Sequence, residues 1–169
     1  MKALLSLYDK EHSDIFAHGL MDNDIDVYST RGTYSYLKDR GVLTRPTSEI
    51  TGFEQLLEGR IKTLHPNIHH MIATGEFGVL AVNLMPLGVK GDEPLDSMDI
   101  GGVSLIRSGV KNWRNVCVIT DPADYGPVMS EIRHGGIKNE TRYLSALKAI
   151  KTVMAYDWNV FETLKNRSI

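Results

Sequence analysis

The chain has 169 residues, 19 Lys and Arg against 21 Asp and Glu, and a formal net charge of −2. With a sequence pI near 6.3, no global field gathers nucleic acid, so general binding to a polyanion is excluded as a leading function. The hydrophobic fraction of 42% and charged fraction of 24% are globular averages, which excludes disordered and fibrous classes, and the length suits a single domain over residues 1–169 with its own core.

In chain order, ALLSLY (3–8) reads as a buried strand, and 10–22 has helical spacing with Ile15, Phe16 and Leu20 in phase. DIDVYS (24–29) is a weaker strand, and 33–40 a second helix. GVLAVNL (78–84) and NVCVIT (115–120) are strands buried on both faces, while 103–111, 123–134 and 139–164 read as helices. Alternating strand and helix predicts an α/β fold: a three-layer α/β/α arrangement around a mostly parallel sheet. The stretch 87–102 is the longest loop-like region. The single cysteine, Cys117, lies inside an apolar strand and reads as a buried structural thiol in a reducing compartment. MKALLSLYDKEH does not fit a signal peptide, and no apolar run nears the roughly 18 residues of a membrane span. A cytoplasmic location, with neither a membrane nor a nucleic-acid partner, is the expectation.

Ligands of such sheets sit beyond the carboxyl ends of the strands. The residues found there are Ser6, Tyr8, Asp9 and Lys10 after the first strand, Ser29, Thr30, Arg31, Gly32 and Thr33 after the second, and Asn83, Met85 and Pro86 after the third. STRGT, between strand and helix, reads either as a phosphate site built on free amides or as a plain helix cap. GRIKTLHP (59–66) concentrates Arg60, Lys62, Thr63 and His65 on a loop closed by Pro66, which suits an anion. A metal held by His65 and His69 is the weaker alternative, because proline disfavours a helix through His65 and no third ligand is near; His69 and His70 read as polar residues following the loop. MDIGGVSLIRSGVKN (98–112) offers Asp99 with Gly101 and Gly102 at a helix start, either a carboxylate beside open amides or a capped helix.

Taken together, SLYDKE, STRGT, EITGFEQLLEGRIKTLHP, VNLMP, DIGGVSLIRSGVKNW, DPADY and TRYLSALKAIKTVMAYD, in this order and spacing, resemble the IMP cyclohydrolase domain of the bifunctional AICAR transformylase/IMP cyclohydrolase family. The resemblance implies a methylglyoxal synthase-like fold and ring closure of FAICAR to IMP with loss of water. It implies that Ser6, Lys10, the STRGT loop, Arg60 and Thr63 hold the 5′-phosphate and ribose, and that Lys62, Asp99 and Lys111 are the catalytic residues. No metal or organic cofactor is required. A homodimer is expected, and the formyl-folate-dependent transformylase domain is absent from this chain, so a separate AICAR transformylase is a possible partner. Relatives on the same fold include methylglyoxal synthases and nucleotide-binding regulatory modules, which remain as alternatives.

Three departures from the family pattern stand out. Met85 replaces the tyrosine of an NLYP segment, and a thioether neither donates a hydrogen bond nor transfers a proton; either the tyrosine's role is dispensable, or Tyr8 supplies a hydroxyl, or activity is reduced. Arg31 replaces a glycine, and the connection 71–78 is shorter than in many relatives, which opens the rim. One geometric difficulty also arises. A continuous helix would separate Asp99 from Lys111 by roughly 18 Å along its axis, so either the helix bends or ends near Gly109, or the lysine serves a neighbouring site across a dimer interface.

Overall fold

The computed structural model describes residues 1–53 and 63–166. Among these, five strands form one parallel sheet: β1 (Lys2–Ser6), β2 (Asp26–Ser29), β3 (Arg45–Pro46), β4 (Phe77–Val82) and β5 (Cys117–Ile119), in the order β3-β2-β1-β4-β5. The helices are α1 (Ser13–Met21), α2 (Arg31–Lys38), α3 (Ser48–Thr51), α4 (Pro66–Ala73), α5 (Gly101–Lys111), α6 (Tyr125–Arg133) and α7 (Asn139–Lys165).

Strand alternation divides the core. Ala3, Leu5, Val27, Val79, Ala81, Cys117 and Ile119 point to a layer with Phe16 and Leu20 of α1 and Val128 and Met129 of α6. Phe16 stacks on Tyr125 at 4.2 Å between centroids. Leu4, Tyr28, Leu80, Val82 and Val118 point the other way, to Ile68 and Ile72 of α4, Leu105 and Ile106 of α5, and Ala149 and Val153 of α7. The expected three-layer α/β/α fold is therefore present, with both sheet faces buried as apolar parallel strands require.

Two local outcomes differ from the sequence reading, and a third decides between alternatives it left open. β3 has only two residues, too short for periodicity to reveal, and its Pro46 is tolerated because the strand is an edge. Residues 66–73 form a helix with Ile68, Met71 and Ile72 buried. Pro66 begins that helix rather than merely closing a loop, since a proline at the first helical position loses no intrahelical bond. His65 stays extended (φ −124°) as its N-cap, accepting from Asn67 N at 3.2 Å. Finally, α5 runs unbroken through Gly109. A Cβ there would lie 2.5 Å from Val118 Cγ2 and 2.8 Å from Leu80 Cδ1, so this glycine lets the helix backbone settle onto the sheet and is not a terminator.

Candidate functional site

At the carboxyl ends of β1, β2 and β4 a cleft of about 240 Å³ opens. Of the predicted site residues, Ser6, Tyr8, Lys10, Thr30, Gly32, Thr63, Asn83, Met85, Asp99, Gly101 and Gly102 line it. Arg60 and Lys62 lie outside the described residues.

One wall is a cluster of hydroxyls. Thr30 Oγ1 lies 3.5 Å from both Ser6 Oγ and Thr33 Oγ1, and Thr33 Oγ1 accepts from Leu7 N at 3.0 Å. Thr30 occupies the N-cap position of α2 in an extended conformation but makes no capping hydrogen bond. The plain-cap reading of STRGT is thus not what its side chain does, and the first-turn amides keep their attraction for an anion. Lys10 reaches over this wall with Nζ 2.8 Å from Tyr8 O, and burial lowers its pKa from the ordinary lysine value. Asn83 is largely engaged: Oδ1 accepts from Tyr8 N at 2.6 Å and Asp9 N at 3.0 Å, while Nδ2 donates to Asp9 O at 2.7 Å. Its job is to clamp the loop after β1 to the end of β4.

The opposite wall is the start of α5. Asp99 Oδ1 accepts from Gly102 N at 2.6 Å, and Oδ2 accepts from Met85 N at 3.1 Å. Both glycines are required by close approach. A Cβ on Gly102 would fall 2.8 Å from Asp99 Oδ2 and from Leu84 Cδ2, and one on Gly101 would collide with Thr63 Oγ1. Thr63 is itself buried, so this residue, just ahead of α4, is packed directly against the start of α5.

Four predicted residues sit elsewhere. Ser29 is fully buried, its hydroxyl 2.5 Å from Thr44 Oγ1; Thr33 is buried behind the cleft as described, and Arg31 is exposed outside the lining. Lys111 is exposed at the far end of α5, about 15 Å along the axis from Gly101. His69 Nδ1 is bonded to Ser108 Oγ at 2.8 Å, and among the described residues no cluster suits a metal ion.

Sequence reasoning missed Lys90, Asp96, Ser97, Met98 and Ile100, which also line the cleft. They come from the loop 87–102, where Asp96 accepts from Glu93 N at 3.0 Å in a capping box; the E-P-L-D spacing was a legible sign of local order. It missed Tyr156 as well, although its hydroxyl accepts from Asp99 N at 2.8 Å and donates to Met85 O at 3.0 Å.

The MGS-like domain model matches residues 15–102, just over half of the chain and most of the cleft's lining. The chain belongs to the MGS-like domain family. Its C-terminal part, residues 109–169, matches the AICARFT/IMPCHase bienzyme model, so the family resemblance read from the motifs is borne out. Among curated relatives, the bifunctional purine biosynthesis protein PurH of Thermoanaerobacter sp. (strain X514) is 36% identical over 96% of this chain and 37% of its own length. The PurH of Enterococcus faecalis (strain ATCC 700802 / V583) is 38% identical over 92% of this chain and 35% of its own. The chain thus spans a little over a third of these relatives. A solved structure described as the crystal structure of ForH superposes with a TM-score of 0.86 at 28% identity, covering 97% of this chain and 98% of that one.

Proposed function

We propose that this cleft closes the second ring of a purine nucleotide, converting FAICAR to IMP. The observation that carries the reading is the pairing, across one cleft, of an uncapped α2 start with a carboxylate anchored at the α5 start. In the reaction the carboxamide nitrogen adds to the formyl carbon. The formyl oxygen then leaves as water, taking one proton from each nitrogen. Both groups belong to one substrate, so the protein has to hold a near-attack geometry and move protons.

The phosphate belongs at the α2 start with Ser6, Thr30, Gly32 and Lys10, where amides, hydroxyls and an ammonium converge. Asp99 receives the carboxamide proton. Its two accepted bonds leave lone pairs free on each oxygen, because a carboxylate accepts about four. Lys62, together with Arg60, is assigned to polarising the formyl oxygen and steadying the phosphate-bearing end. Met85 contributes its main chain to Asp99, which supports activity without a tyrosine at that position.

The expected homodimer is supported by α7, whose Leu144, Leu147, Met154, Trp158 and Phe161 are all exposed at heptad a/d spacing. Antiparallel pairing of two such helices sets Leu144 opposite Phe161, Leu147 opposite Trp158 and Lys151 opposite Met154, a self-complementary register. Trp113 packs on Tyr143 near the start of α7, whereas Asp99 is tied to Tyr156 near its end. That pairing would bring Lys111 of one protomer towards the Asp99 end of its partner, a role it cannot have within its own chain. The substrate would be supplied by a separate formyl transfer to AICAR.

The test is ultraviolet detection of IMP from synthetic FAICAR, with Lys62→Ala alongside. Turnover by the parent that is lost in the variant is the expected result. Tight IMP binding without turnover would make the chain a nucleotide-binding module, and methylglyoxal formed from a triose phosphate would make it a synthase of the other branch.

A further inference from the structure

Asp99 forms a partition. On one side it lines the cleft, and on the other it lines a groove with Ile100, Tyr156, Val160 and Phe161. Tyr156 stands in this partition at 9% exposure, and its hydroxyl is used in both directions, accepting from Asp99 N and donating to Met85 O. Met85 N in turn donates to Asp99 Oδ2. Residues 85 and 99 stand near the two ends of the connection between β4 and α5, 14 positions apart, so the aim of the carboxylate depends on the separation of those two main chains. The phenol hydroxyl is the group that bridges them. Burial raises its pKa from the ordinary tyrosine value, which keeps it protonated as this double role requires.

We infer that Tyr156 is a positioning residue: from α7, through its hydroxyl, it locks the main chains of Met85 and Asp99 and so aims the Asp99 carboxylate into the cleft. The inference rests on the ring-closure reading for its kinetic consequences, but its structural content is independent of the substrate.

Tyr156→Phe keeps the ring packed against the second core layer and removes only the bridge. With FAICAR as substrate, turnover number falls about tenfold or more while KM stays within about threefold, since the phosphate wall is untouched. In an Asp99→Asn background the same change costs less than about twofold, because a residue acting through Asp99 has nothing left to aim. Equal losses in both backgrounds, or no loss in the first, would overturn the inference. A second readout is the Gly102 amide proton in ¹H–¹⁵N spectra of the unliganded protein, held by its short bond to Asp99 Oδ1. It moves upfield in Tyr156→Phe if the aim is lost and stays in place if Tyr156 is only packing. Should the parent fail to turn over FAICAR, the ring-closure reading falls, and the amide shift alone decides the role of Tyr156.

Discussion

Two helices present their N-termini to the same cleft, and they are finished in opposite ways. At α5 a carboxylate from the preceding turn takes the Gly102 amide, and the helix start is wired to Met85 and Tyr156. At α2 the N-cap threonine turns its hydroxyl to Ser6 and Thr33 and leaves the first turn uncapped. A helix start that already holds a carboxylate repels a second anion, while an uncapped one attracts it. Under the proposed ring-closure reading, this difference would orient a nucleotide, with phosphate to α2 and reacting groups to α5.

The sharpest way to break this comparison is Asp99→Asn, which keeps an acceptor for Gly102 but removes the charge. Turnover falls by about 10²–10⁴, the range for a lost proton-transfer group, while IMP affinity measured by calorimetry is unchanged or tighter. An unaffected turnover would reduce the α5 wall to a structural cap. Next comes Lys10→Met on the other wall, expected to raise KM about 10- to 100-fold by removing one charge-assisted contact, with turnover number retained. Because burial lowers the pKa of Lys10, its charge is lost at a lower pH than an ordinary lysine's. Phosphate-dependent affinity in the parent therefore weakens early on the alkaline side, and this limb vanishes in the methionine variant.

A paired glycine experiment follows. Gly102→Ala forces a Cβ against Asp99 and Leu84 and costs about 1–3 kcal/mol in denaturant unfolding. Gly32→Ala, whose Cβ meets nothing within 4 Å, changes stability by less than about 0.5 kcal/mol. Equal costs would mean that the two helix starts are not differently packed. The smallest effect is expected from Met85→Tyr, within about tenfold in turnover, since residue 85 serves Asp99 through its main chain. A gain of about 10²-fold would instead give the introduced hydroxyl a proton-transfer role.

Apolar runs and helical spacing were enough to place four of the five strands and the long α7, because burial on both sheet faces leaves a continuous sequence signal. α4 was obscured by its two histidines and leading proline, although Ile68, Met71 and Ile72 carry a helical period. Within the cleft, the residues directly after each strand were legible from topology alone. What Asn83 and Ser29 do was not: Asn83 clamps the loop after β1 while lining the cleft, and Ser29 is buried against Thr44.

The sequence by itself determined the layered α/β fold and which loops meet at the strand ends, since both follow from periodicity and from the handed, parallel connection of strands through helices. Only the tertiary structure decided that Lys111 lies away from its own cleft and that Tyr156, 57 positions beyond Asp99, holds it in place. Contacts between residues far apart in the chain depend on how α5 and α7 pack on the sheet, and local patterns carry no record of that packing.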